Sequence, residues 1–233
     1  MNLGNCRGLL LIGLCGIAAV LAVCPASAQQ GSREAEQREA ARVAAIKAGM
    51  VVNFLRYTTW PSGSFKDAED RKAPIVVTLA GDTGFASALA DAVRGVTIGG
   101  REIELRQVSY PTARRDETAP RQEDIDAYYA SLRGSHAVFF GRSESTRVTE
   151  SLRKLEGADV LTMSDLGGFA EAGGMLGMVV REKRVAIDAN EDAVKATALK
   201  LSSRLLKLAR IVRSPAREED SRPRDDGGKE GSR

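Results

Sequence analysis

The chain holds a single histidine, His136, so a serine–histidine or cysteine–histidine centre would have to be built on it. His136 opens an apolar run, His136-Ala137-Val138-Phe139-Phe140-Gly141, that reads as a buried strand. A hydrogen-bonded structural histidine at a strand end is the simpler reading than a general base. Ser151-Leu152-Arg153-Lys154 has the S-x-x-K spacing of a lysine-activated serine, but the S-D-N and K-T-G partners of that motif are missing. A helical stripe through Val148, Leu152 and Leu155 would turn Ser151 and Lys154 to water. Asp165 and Glu171 share the loop 165–173 and offer either a carboxylate pair for acid–base work or a solvated loop. Gly81-Asp82-Thr83-Gly84 joins a strand to a helix whose N-terminus can bind an anion. A helix cap at Asp82 or Thr83 explains it as well. No glycine cluster forms G-x-G-x-x-G or a P-loop. Cys6, Cys15 and Cys24 all lie in the first 24 residues, which excludes a cysteine-rich zinc site in the body of the chain. The residues alone single out no catalytic residue, no metal and no cofactor, and they leave a hydrolase around Ser151 or His136 as a rival reading.

One loop resists that dismissal. Leu166-Gly167-Gly168-Phe169-Ala170-Glu171-Ala172-Gly173-Gly174-Met175 places Phe169 and Met175 among small residues. Loops tend to carry function, and an apolar side chain at a loop tip can anchor a protein interface. Phe169 can equally fold back onto the sheet. Phe169, Glu171 and Met175 are the candidate partner-binding residues.

The elements that must position these residues begin after an address. Arg7 precedes an apolar run, Gly8 to Val23, shorter than the roughly 20 residues a bilayer span needs. Ala26-Ser27-Ala28 then supplies the small residues of a cleavage site. Residues 1–28 read as a secretory signal peptide cut after Ala28, which implies export. With 233 residues, a net charge of +3, 43% hydrophobic and 28% charged residues, the chain has globular composition and too little basic excess for nucleic acid. Residues 29–39 read as a flexible polar segment. Residues 214–233 are dominated by charges of both signs, with Pro215, Pro223 and Gly227-Gly228, and read as a disordered tail. The folded domain is 40–213.

Within it, Val43, Ile46, Met50, Phe54 and Tyr57 recur at helical spacing, and Trp60-Pro61 ends that helix. Ile75 to Ala80 is a continuous apolar run, expected for a strand buried on both faces. Phe85, Leu89 and Val93 mark a helix, and Gly99-Gly100 turns into a strand through Ile103, Leu105 and Gln107. Helix through Ile125 to Leu132, strand 136–141, helix through Val148 to Leu155 and strand 159–163 follow. Met175–Val180 and Val185–Ile187 suggest a hairpin. Val194, Ala198, Leu201, Leu205, Leu208 and Val212 suggest one long helix over 191–212. The predicted fold is α/β: a single-domain, mainly parallel sheet flanked by helices on both faces, with a C-terminal β-hairpin and a long C-terminal helix.

Over residues 47–212 the chain resembles the YfiR family. The resemblance rests on Lys47-Ala48, Asn53-Phe54-Leu55-Arg56-Tyr57-Thr58-Thr59-Trp60-Pro61, Ile75 to Gly81, Gly100-Arg101-Glu102-Ile103 and His136 to Phe140. It continues through Val160 to Asp165, Phe169, Gly173-Gly174-Met175, Arg184-Val185, Asn190 and Leu201 to Ala209, in order and spacing. The resemblance implies a periplasmic protein without catalytic activity, commonly a homodimer. It would bind and repress the periplasmic sensor domain of an inner-membrane diguanylate cyclase, lowering cyclic di-GMP and restraining biofilm formation. An outer-membrane, peptidoglycan-associated lipoprotein would sequester it. Well-known relatives carry disulfides, whereas this chain has no cysteine after Cys24. The alternative function is a periplasmic small-ligand-binding protein, using the crevice at the carboxyl ends of the strands near Gly81 and Asp165.

Overall fold

The computed structural model describes residues 26–65, 73–115, 117–181 and 184–214. Most of the expected signal peptide, residues 1–25, and the expected tail from Pro215 onward lie outside the described residues. The chain divides into two compact units, 1–42 and 43–233. What is described of the first is the start of helix α1 (Ala26–Arg56), which includes residues 29–39. Every described side chain from Gly31 to Arg42 is exposed.

In the second unit α1 buries Ala48, Val51, Val52, Phe54 and Leu55. This face is rotated from the predicted stripe: Ile46 is exposed and Met50 is only partly buried. The small side chain of Ala48 lets the helix approach the sheet closely, so packing selects the stripe centred on it. Thr58 Oγ1 donates to Phe54 O (2.7 Å) where the helix stops. Thr58–Thr59 forms β1, Ile75–Ala80 forms β2, and both faces of β2 are buried. Helix α2 (Ala86–Val93), β3 (Thr97–Ile98) and β4 (Arg101–Val108) follow. Gly99 and Gly100 turn the β3–β4 hairpin with φ of 60° and 83°, the left-handed region glycine tolerates. Then come α3 (Gln122–Arg133), β5 (Ala137–Phe140), α4 (Val148–Lys154), β6 (Leu161–Ser164), β7 (Leu176–Arg181) and β8 (Arg184–Asn190).

The predicted α/β architecture holds, with the chain end rebuilt. The expected long helix over 191–212 is four pieces: α5 (Glu191–Lys195), β9 (Lys200–Leu201), α6 (Ser203–Leu208) and β10 (Ala209–Val212). Local bonds break it. Thr197 Oγ1 donates to Val194 O and accepts from Leu199 N, and Asp159 Oδ1 takes the Ala198 N–H at 2.8 Å. Ser202 then caps α6. The gain is that β9 pairs with β1, and β10 covers the outer edge of β8.

The eight-stranded sheet runs β10-β8-β7-β6-β5-β2-β4-β3. Strands β4, β2, β5, β6 and β7 are mutually parallel, and the β7–β8 hairpin is antiparallel. Alternate side chains divide between two cores. Ile75, Val77, Leu79, Phe139 and Met163 pack with residues of α1 and α2. Ala80, Val138 and Phe140 pack with Tyr128, Tyr129 and Leu132 of α3 and Val148 of α4.

Strand order reverses between β2 and β5, where an open α/β sheet normally opens a crevice. Here the two departing loops close on each other. Asp82 N donates to Ser143 Oγ (2.9 Å), and Arg142 N donates to Asp82 O (3.0 Å). A Cβ on Gly141 would sit 2.1 Å from that same Asp82 oxygen, a backbone atom. Gly141→Ala should therefore destabilise the fold by about 2 kcal/mol through overpacking, read as a lower urea midpoint with an unchanged m-value.

Candidate functional site

The loop after β6 is shaped by two constraints at its start. Ser164 Oγ donates to Phe140 O (2.8 Å) and accepts from Leu166 N (3.0 Å). Asp165 then pairs with Lys47 of α1, both side chains largely buried. The chain turns through Gly168 (φ 76°) and Gly173 (φ 103°). Phe169 folds back under the turn, only 2% exposed, its ring 5.9 Å from that of Phe140. A Cβ on Gly174 would lie 2.1 Å from the Phe169 ring, so glycine there makes the fold-back possible.

Asn190, fully buried at the end of β8, joins this loop to its surroundings. Its Nδ2 donates to Ala170 O and to Ser214 Oγ, each at 2.8 Å. Its Oδ1 accepts from Ala193 N (3.0 Å), capping α5. The main chain adds Asn190 N to Met175 O (2.9 Å), and Met175 N reaches Thr162 Oγ1 (3.0 Å). Around this junction opens a groove of about 660 Å³, bounded by the end of α4, the start of β6, the 171–175 turn, α5 and Ser214. Leu152, Leu155, Val160 and Met175 give it an apolar floor, with Arg153, Glu156, Glu171 and Asp192 also lining it.

Two of the three predicted residues, Glu171 and Met175, thus line one groove, and Phe169 lies beneath the loop. Phe169 and Met175 are both buried, and Phe169 takes the second of its two readings, folded back onto the sheet. Glu171 instead reaches β10. Its Oε1 accepts from Arg210 Nη2 (2.6 Å), and its Oε2 is buried without a hydrogen-bond partner among the described residues. Arg210 also forks onto Asp188 through Nε and Nη2, each at 2.9 Å. Arg181 Nη2 meets both oxygens of Asp188, at 2.8 and 2.6 Å. The Arg210 hydrogen bonds, helped by Arg181, hold the buried Asp188 carboxyl down at about 2. This clamp ties β7, β8 and β10 to the loop.

The other candidates lose their chemistry. Asp165 and Glu171 have separate cationic partners and form no carboxylate pair. Ser151 is fully buried rather than facing water. Lys154 is exposed beside Tyr129, 5.7 Å from its ring centre. Neither Asp82 nor Thr83 caps α2. Asp82 Oδ1 takes the Gly84 N–H (2.9 Å), and Thr83 Oγ1 is buried without a partner. His136 is structural, with Nδ1 accepting from Val76 N (3.0 Å). Among the described residues no group of three or more His, Cys, Asp or Glu is placed to hold a metal ion. Sequence reasoning missed Asn190, Asp188, Arg181, Arg210 and Lys47 as site builders. Asn190 carried a signal, an N-cap residue before the acidic first turn Glu191-Asp192. So did Asp188, a charge inside an apolar strand that needs a partner.

The YfiR/HmsC-like family (DUF4154) matches residues 44–210, most of the chain. No curated protein matches. Two solved structures are similar over part of the chain, each at 10% identity over 59% of this chain and 54% of its own. One is a conserved domain protein of Vibrio cholerae O1 biovar El Tor, with a TM-score of 0.43. The other is an ABC domain in complex with L-Trp from Streptococcus pneumoniae, with a TM-score of 0.41. The match spans about half the length of each. The chain belongs to the YfiR/HmsC-like family. Among the described residues no helix is long and apolar enough to cross a membrane.

Two outcomes test the site's construction. Asn190→Ala strands Ala170 O and the Ala193 N–H, and should cost about 3 kcal/mol while speeding amide exchange across 169–175. Asp188 has a native pKa below its unfolded value, so its clamp stabilises fully above about pH 4 and is lost as pH falls towards 2. Asp188→Asn should lower stability at pH 7 and abolish that part of the acid dependence, measured by urea midpoints across pH.

Proposed function

We propose that this chain, exported to the periplasm, binds the periplasmic sensor domain of an inner-membrane diguanylate cyclase and holds the enzyme inactive. The observation that supports this most is the family match over residues 44–210. The geometry agrees in one respect. The crevice that a small-ligand carrier of this architecture would use, near Gly81, is filled by its own loops. The groove beside the 171–175 turn lies on the surface, where a protein partner can reach it.

In this reading the partner contacts the groove face that carries Glu171, with Met175 in its floor and Phe169 supporting the turn from below. Repression works through linkage: the regulator shifts the cyclase only by its preference for the inactive conformation. A hundredfold preference would be worth about 2.7 kcal/mol. A homodimer can present two such faces, and an outer-membrane, peptidoglycan-associated lipoprotein would compete for the free regulator. No residue of the chain carries out a reaction in this account.

Deletion should raise cellular cyclic di-GMP, and complementation should restore it with the full chain but not with one lacking residues 2–28. Ala172, exposed on the rim of the groove, gives the local test. Ala172→Arg should weaken sensor-domain binding at least tenfold with the circular dichroism spectrum unchanged. Wild-type affinity in that variant would take the groove out of the interface. Unchanged cyclic di-GMP on deletion would refute the regulatory reading.

A further inference from the structure

His136 sits where three segments meet at the amino ends of β2 and β5. Its main chain is fully engaged: His136 N donates to Val76 O (2.9 Å), while its carbonyl accepts from Leu161 N (3.0 Å) and from Trp60 Nε1 (2.9 Å). Its ring is engaged at both nitrogens. Nδ1 accepts the Val76 N–H (3.0 Å), and Nε2 lies 3.1 Å from Ser64 O. A backbone N–H can only donate and a carbonyl can only accept, so the ring is fixed as the neutral Nε2–H tautomer. Phe65 stacks on the imidazole at 4.5 Å and 20°, and Trp60 meets its edge at 6.3 Å. The Arg101 guanidinium, 4.0 Å from the Phe65 ring centre, lies over that same ring.

We infer that His136 is an acid-operated latch that holds the Ser64–Phe65 end of the 60–65 segment on the sheet, with Trp60 as its fixed end, and lets it go when the ring takes a second proton. The proton has one place to go, Nδ1, where it meets the Val76 N–H head-on and turns an acceptor into a second donor. To relieve this the ring must turn. Turning gives up the Ser64 bond and the Phe65 stack together, because one plane serves both. The segment then keeps the Trp60 Nε1 bond to the His136 carbonyl and its own short turn, Ser64 N to Pro61 O (3.0 Å).

Among the described residues, the charges that act on the ring are Arg101 and Arg106 of β4, and both oppose protonation. Burial does so more strongly, and the imidazole stays below its ordinary value of 6.5. The sign follows. The neutral ring is favoured in the folded state, so the latch is closed above pH 6.5 and opens as pH falls through the lowered value. In the exported setting proposed above, outside acidity would reach it. The latch itself does not depend on that reading, and its test involves no partner.

Trp60 is the only tryptophan, so the segment reports on itself. The purified chain is titrated from pH 8 to 4, following Trp60 fluorescence, the histidine ring nitrogens by NMR, and the far-ultraviolet circular dichroism. The expected result is an Nε2–H ring at pH 8 that titrates below 6.5. The Trp60 emission and the Val76 amide signal should change with the same midpoint, with secondary structure retained. His136→Asn, which keeps an acceptor at the δ position and does not titrate, should lose the Trp60 transition. The wild-type ring signals decide the matter even if that variant fails to fold. An Nδ1–H ring, a midpoint at or above 6.5, a Trp60 signal indifferent to the ring, or global unfolding in the same step would each overturn the latch.

Discussion

A buried amide must find a partner for every polar atom it carries, and at Asn190 that requirement sets where three segments meet. Its two donor positions take Ala170 O in the loop and Ser214 Oγ at the end of the described chain, and its acceptor takes the first turn of α5. An apolar residue of similar size would fill the space and satisfy none of them. One side of the groove follows from this junction, since the 171–175 turn, α5 and Ser214 are the segments that Asn190 holds. Phe169 completes the arrangement from below, and Gly174 is the residue small enough to let it.

The charged clamp next to it has a different character. Asp188 is enclosed, and its two arginines are partly in water, so the pair of forks satisfies a carboxylate that the sheet would otherwise leave stranded. It fastens the short edge strand β10 to the hairpin, and through Glu171 it reaches the groove. Meanwhile the place where this architecture usually does chemistry is sealed by backbone contact between two loops.

Much of this was legible in the sequence where a segment obeys one rule. The continuous run Ile75 to Ala80 is a central parallel strand because it is buried on both faces. The β7–β8 hairpin was legible from two neighbouring apolar runs, Met175–Val180 and Val185–Ile187, read together. Where two rules compete, the sequence misleads. Leu201, Leu205, Leu208 and Val212 keep helical spacing, but side-chain bonds from Thr197 and Asp159 stop the helix and tertiary pairing turns 209–212 into a strand. Phe169 had two futures, anchor or core, and only the space beside Gly174 decides between them. The partners of Asp188 and Asp165 were beyond reach, because Arg210 and Lys47 come from elements distant in sequence and no local pattern marks them.

The central claim is that a surface assembled around Asn190 meets the sensor domain of a cyclase. Hydrogen–deuterium exchange of the chain, alone and with that purified domain in excess, tests it most directly. The account predicts a complex in which amides of 171–175 and 192–197 slow markedly while the central strands stay as they were. A complex that protects another face and leaves those two segments untouched, or no complex at all, would contradict it.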